Sequence, residues 1–226
     1  MKLLTLNNTK IQKTNNNQNK YMVAIMHLAP HKLSGYNVCP SASKGCIHAC
    51  LNTSGFGKYT KVQLARVNKT KRFFEDRVGF QKDLEKDLQS LVNKCEKLGL
   101  KPAVRLGGTS DIRNEKIFPS IFTNFSNIVF YDYTKIYNRM LDFLNGKLPQ
   151  NYHLTFSRSE VNETQCIDVL SKGGNVAVVF HKIPKTYMGY KVYNGDFSDL
   201  RFLNKHGVIG LKPKGKAKHD TSSFVI

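Results

Sequence analysis

"NIVFYDYTKIYNRMLDFLNGKLPQNYHLTFSRSE", residues 127–160, reads as strand, helix, strand. Residues 127–135 are rich in β-branched and aromatic side chains, and so are 151–160; the segment between them, "IYNRMLDFLNG", reads as a short helix. A strand that returns through a helix pairs in parallel, because a parallel return needs a crossover.

Working outward, the same alternation continues. Upstream lie strands at "YMVAIMHLAP" (21–30) and "KPAVRLGG" (101–108). Between these two, residues 60–98 carry Phe73, Phe80, Leu84, Leu88, Leu91 and Leu98 at helical spacing, predicting one long helix that stops at Gly99. "EKIFPSIFTNFS" predicts a weak helix broken by Pro119. Downstream, "NETQCIDVLSKGG" predicts a helix with a glycine stop, 175–182 a fifth strand, and 207–215 a sixth after an irregular 183–206. Several strands are apolar without alternation, as expected when helices cover the sheet. Six such units predict an α/β fold of parallel strands, an open or incomplete (βα)6 barrel of TIM-like kind. A flat doubly wound sheet is the alternative. Residues 1–20 predict a polar N-terminal arm, and 21–226 a single α/β domain.

The chain has 226 residues, enough for a substantial core, with 40% apolar and 23% charged residues, as in an ordinary globular protein. No apolar run is long enough to span a bilayer, and the start lacks the apolar core of a secretory signal, so the expected setting is cytoplasmic. The formal charge is +19, with concentrations at 58–72 and 212–218. Such a field favours nucleic acid as a partner through counterion release.

In parallel α/β folds the ligand site lies at the carboxyl ends of the strands. Here those ends carry Gly107, Gly108, Thr109, Ser110 and Asp111, then Tyr131, Asp132, Tyr133 and Lys135, then Ser157, Arg158, Ser159 and Glu160, then His181 and Lys182. Taken singly each has an ordinary reading: Asp111 and Glu160 can cap helices, and His181 can sit on the surface. Their common placement on one rim points to a site.

The first strand leads into "VCPSASKGCIHACLNTSGFGK" (38–58), which spaces its thiols Cys-x6-Cys-x3-Cys. In a reducing cytosol, three clustered cysteines suggest a metal rather than disulfides. Thiolates bind zinc and iron–sulfur clusters. A structural zinc wants four closed ligands, and His48, His31 or His27 is available as the fourth. A four-iron cluster held by Cys39, Cys46 and Cys50 alone leaves one iron open for a substrate or cofactor. That is the first expectation, with zinc as the alternative. Cys95 and Cys166 sit on apolar helix faces and read as core.

Two resemblances follow. "LAPHKLSGYNVCPSASKGCIHACLNTSGFGK", "VRLGGTSDI", "VFYDYTK", "NYHLTFSRSE", "NVAVVFH" and "YNGDFSDLR" together resemble a family of phage and mobile-element proteins named after a mycobacteriophage's gene product eighty-eight. It implies a phage or plasmid setting and supplies no activity. A three-cysteine loop after the first strand of an incomplete barrel also looks like the radical S-adenosylmethionine enzymes. That resemblance implies a 4Fe-4S cluster on the loop, S-adenosylmethionine on its open iron, and a Gly-Gly turn after the second strand against the cofactor. Here Gly107, Gly108, Thr109 and Asp111 stand at that turn, with Ser157 and Ser159 nearby on the rim. Those enzymes space their cysteines x3 then x2, and this chain departs from that.

Three readings result. In the first, a radical S-adenosylmethionine-like enzyme acts on a nucleic acid or nucleotide, with Ser157, Ser159 and the catalytic candidate Glu160 near the cofactor's ribose or methionine and the catalytic candidates Tyr131, Asp132 and His181 facing the substrate. In the second, Asp111, Asp132, Glu160 and His181 bind a divalent metal for nucleic-acid hydrolysis, and the cysteines hold zinc. In the third, the protein is a non-catalytic, metal-stapled nucleic-acid binder.

Overall fold

The computed structural model describes residues 1–6 and 20–226. Nine strands form one sheet. They are β1 (Leu4–Thr5), β2 (Tyr21–Met26), β3 (Lys101–Arg105), β4 (Val129–Thr134), β5 (Tyr152–Ser157), β6 (Val176–Val179), β7 (Thr186–Tyr187), β8 (Tyr190–Asn194) and β9 (Val208–Leu211). The order is β1-β2-β3-β4-β5-β6-β9-β8-β7, parallel from β2 to β8 and antiparallel at both edge pairs. The six strands expected from the sequence are β2, β3, β4, β5, β6 and β9, and they stand side by side in chain order.

That order fixes where the helices go. Parallel crossovers are right-handed, so successive steps in one direction put every connecting helix on the same face. The helices are α1 (Lys44–His48), α2 (Thr60–Glu75), α3 (Arg77–Lys97), α4 (Asn114–Ile117), α5 (Pro119–Asn124), α6 (Tyr137–Leu144) and α7 (Glu163–Ser171). Phe80, Leu84 and Leu88 of α3, Ile121 of α5, Met140 of α6 and Val169 of α7 share one core with Ala24, Val104, Phe130, Leu154 and Val178 of the strands. Each large apolar side chain buried there contributes roughly 1.5–3 kcal/mol. A doubly wound sheet would split its helices between two faces; this order does not. Among the described residues the sheet is open, with β1 and β7 as its edges, and it does not close into a barrel.

The step from β8 to β9 runs back along the sheet, so the same handedness carries it over the opposite face. There Leu200 and Phe202 pack on Val23, Ile25, Ala103 and Tyr131. This return strand is the main surprise: 183–206 reads as irregular, yet it holds the hairpin β7–β8. β8 is short, and only Val192 of it is buried, so it has no apolar run to detect.

Two further differences concern the first third of the chain. The helix expected over 60–98 is broken at Asp76, whose carboxylate accepts the Gly79 amide and caps α3. Of the arm expected over 1–20, residues 7–19 lie outside the described residues. Residues 1–6 are not peripheral: Leu3 and Leu4 are buried, β1 pairs with β2, and Asp87 accepts both their amides. No helix among the described residues is long and apolar enough to cross a membrane.

Candidate functional site

The loops after β2 and β3 zip together. Thr109 Oγ1 donates to the Leu28 carbonyl at 2.6 Å, and the Asp111 amide donates to the Val38 carbonyl at 2.9 Å. This brings the cysteine loop over the carboxyl ends of the strands. Cys39 Sγ accepts the His31 amide at 3.4 Å and lies 3.7 Å from the Thr109 carbonyl.

The middle of the loop is α1, capped by Ser43, whose hydroxyl accepts the Cys46 amide. Glu160, beyond β5, clamps this short helix: its carboxylate accepts the Ser43 hydroxyl and the Gly45 amide, both at 2.7 Å. Burial pushes the Glu160 carboxyl up, but the two bonds outweigh it and hold it below its usual range. Gly45 must be glycine, because a Cβ there would lie 2.4 Å from Ser222 Oγ and 2.8 Å from Phe224 Cβ. Cys46 packs beside Ala217 and Phe224.

All three loop thiols are partly exposed. Burial pushes Cys39 up to about 11, helped by the charges of Cys50 and Cys46. Burial also raises Cys50, which lies within the fields of Cys46, Arg66 and Lys135. A metal ion reverses such shifts, since a coordinating thiol loses its proton outright. Yet among the described residues no three His, Cys, Asp or Glu side chains form a ready-made metal site. Of the histidines expected as a fourth ligand, His48 is exposed, His31 reaches Cys39 by its backbone amide, and His27 is packed against Gly108. Burial, then Arg66 and Arg105, push His27 down to about 3, so it is neutral.

The Gly-Gly turn has a packing explanation. A Cβ on Gly108 would meet His27 Nδ1, Ile25 and the Met26 carbonyl, each at 2.6 Å, and one on Gly107 would meet the Ser110 carbonyl at 2.8 Å. Both amides are already used. Gly107 donates to Asp132 Oδ1 and Gly108 to the Met26 carbonyl.

The strand-end acids belong to a buried polar network on the helix side of the sheet. Its centre is Arg139 of α6, which is 1% exposed. It binds Glu115 through two hydrogen bonds at 3.1 and 2.7 Å, Asp111 at 3.0 Å, and the Tyr152 hydroxyl. Asp111 also accepts Thr134 Oγ1 and the Lys135 amide, and the Tyr152 hydroxyl donates to Asp132. Burial lifts Asp132 to about 6 against the pull of Arg139 and Arg105.

Tyr131 and Asp132 do not share a site, because neighbours on a strand face opposite ways. Tyr131 points to the other face, where its hydroxyl donates to Asp199 at 3.2 Å and Arg105 Nη1 meets the same carboxylate at 3.4 Å. Ser157 accepts the Lys135 ammonium at 2.8 Å, and buried Ser159 is fixed through its amide to Asn162. His181 is exposed, joined to the fold by its amide to the Ile226 carbonyl. The three thiols share one loop without forming a three-residue metal group among the described residues, and the expected catalytic group is dispersed. Cys95 and Cys166 lie in the core. Sequence reasoning missed Arg139, Glu115, Arg66 and Arg105. Sequence places Arg139 on a short helix, but only the fold brings the Asp111 and Glu115 carboxylates to it.

The sequence profile of gene product 88 matches residues 1–226, and the chain belongs to that family. No curated protein and no solved structure matched it.

Proposed function

We propose that this gene product 88 protein is an iron–sulfur enzyme of radical S-adenosylmethionine-like kind, acting on a nucleic acid or nucleotide in a phage or mobile-element setting. One observation carries the reading: Cys39, Cys46 and Cys50 are partly exposed thiols of one loop, which the Thr109–Leu28 and Asp111–Val38 bonds draw over the strand ends. Bound there, a 4Fe-4S cluster with three cysteine ligands keeps one iron open and supplies one-electron chemistry. Arg66 and Lys135 are placed to offset the negative charge of ligating thiolates. Closing the trio asks for movement in a loop made of one five-residue helix and two 3-10 turns.

The sequential strand order with helices on one face supports the incomplete-barrel reading of the sheet. S-adenosylmethionine is the less supported cofactor. The amides of Gly107 and Gly108 are engaged within the fold, which leaves Thr109, Ser157 and the rim carbonyls to meet it.

The hydrolase reading draws less support. Its donors are held elsewhere: Asp111 and Asp132 in the Arg139 network, Glu160 on α1, and His181 in solvent. Zinc on the cysteines remains the alternative metal within that reading.

The test is turnover. Anaerobically reconstituted, chemically reduced protein should cleave S-adenosylmethionine, and Cys46→Ala should not. Magnesium- or manganese-dependent nicking of DNA or RNA that persists in Cys46→Ala, with S-adenosylmethionine left intact, contradicts the reading in favour of a hydrolase.

A further inference from the structure

The two basic concentrations at 58–72 and 212–218 are far apart in sequence, and the fold brings them together. The 3-10 segment Gly215–His219 packs on the turn Leu51–Thr53 and on Ser54, just ahead of the turn Gly55–Lys58. The Lys216 amide donates to Thr53 Oγ1 at 3.3 Å. Gly215 is in the left-handed region with φ +57°, and a Cβ there would come within 2.7 Å of the same hydroxyl. Arg66 pins the turn from behind through Asn52.

The surface so formed is basic and aromatic. Lys58, Lys61, Lys216 and Lys218 are exposed. Phe56 is 59% and Tyr59 53% exposed, and their ring centroids stand 6.2 Å apart. Acids are nearly excluded from these segments: the first acidic residue of the chain is Glu75, and none stands between 201 and 219. The carboxylates that flank the 212–218 run have partners within the fold, Asp196 in Lys214 and the Lys212 amide, Asp220 in Ser222 and the Val225 amide. The same turn follows directly on Cys50, so whatever lies on it lies beside the thiols.

From this geometry we infer that the surface binds single-stranded nucleic acid, with Phe56 and Tyr59 as stacking platforms and Lys58, Lys61, Lys216 and Lys218 on the phosphates. Exposed rings beside lysines are what an unpaired strand uses, since only unpaired bases offer free faces for stacking. A protein partner fits worse, because the centres of protein interfaces are depleted of lysine. The inference rests on the reading that the substrate is a nucleic acid or nucleotide, and it adds strandedness and the docking surface.

The experiment is fluorescence anisotropy with a labelled mixed-sequence oligonucleotide, as single-stranded DNA, single-stranded RNA and duplex, across a salt series. Single strands should bind more tightly than duplex. Phe56→Ala and Tyr59→Ala should each weaken single-strand binding about tenfold with the salt slope kept. Lys216→Gln and Lys218→Gln should each lower that slope by about one. Circular dichroism should be unchanged in all four, since these side chains are exposed. Duplex bound as well as single strand, aromatic variants that bind as wild type, or no binding at low salt overturns the inference. Iron is measured on the same preparations. Iron-free protein that binds single strands through the two rings supports this surface and contradicts the cluster. Iron-loaded protein that ignores them overturns the surface alone.

Discussion

Two regions meet at the carboxyl ends of the strands, and they use their polar residues in opposite ways. Behind the ends, Arg139 gathers Asp111, Glu115 and Tyr152, and Tyr152 hands on to Asp132, which takes the Gly107 amide. Each of those carboxyl groups is bonded inside the fold. In front, the cysteine loop leaves three partly exposed thiols, two neighbouring cations and two exposed rings. The first arrangement is saturated and holds strands and helices in register. The second keeps its thiols and rings partly open to solvent, and open chemistry is where a ligand is to be sought.

Removing the hub of the saturated region should have the largest effect. Arg139→Met leaves carboxylates buried without their cation, and should cost about 3–5 kcal/mol in denaturant unfolding. A variant that stays as stable as wild type while losing activity would move the Arg139 network from scaffold to site.

Asp132 gives the next effect, read through pH. Its folded pKa is raised to about 6 from an ordinary 3.8. A carboxyl raised on folding favours the protonated state, so its stabilisation is present below the unfolded pKa and lost as pH climbs through the folded one. Between pH 4 and pH 7 the stability of wild type relative to Asp132→Asn should fall by on the order of 2–3 kcal/mol. A flat difference across that window would show Asp132 to be ionised and better compensated than its partners imply.

Glu160→Gln sharpens the comparison at the seam. The clamp loses its charge-assisted bonds to Ser43 and Gly45, costing about 1–2 kcal/mol. Alkylation of Cys46 should speed up in the same variant, because α1 is released. Unchanged Cys46 reactivity would mean that Ser222 and Phe224 alone hold the helix.

The smallest effect on the fold belongs to the thiols. Cys46→Ala in metal-free protein should change stability by less than about 1 kcal/mol, since the side chain is half-exposed. A large loss would place Cys46 with the scaffold.

The same contrast explains what the sequence discloses. Apolar runs such as "NVAVVF" announce buried parallel strands, and the glycines and caps between them announce crossovers, so the six central strands and their order are readable. β8 is not, because one buried residue makes no pattern. The cysteine trio stands out in sequence because three thiols fall within twelve positions, and its role is left to experiment. The strand-end acids mislead because a carboxylate looks the same in sequence whether it is open or bonded. Arg139 lies 28 residues from Asp111 and 24 from Glu115, and only the packed structure reveals that it occupies them. Alternation along β4 does separate Tyr131 from Asp132, and that much is legible from the strand alone. The exposure of Phe56 and Tyr59 is not, since an aromatic ring in sequence looks the same whether it is packed or open.

The cysteine loop is most directly tested by iron and acid-labile sulfide content in anaerobically reconstituted protein, wild type beside Cys39→Ala, Cys46→Ala and Cys50→Ala. Wild type should be brown and carry about four iron and four sulfide per chain, and each substitution should abolish both. Colourless wild type, or variants that load iron and sulfide as wild type does, would contradict a shared inorganic centre on these three sulfurs.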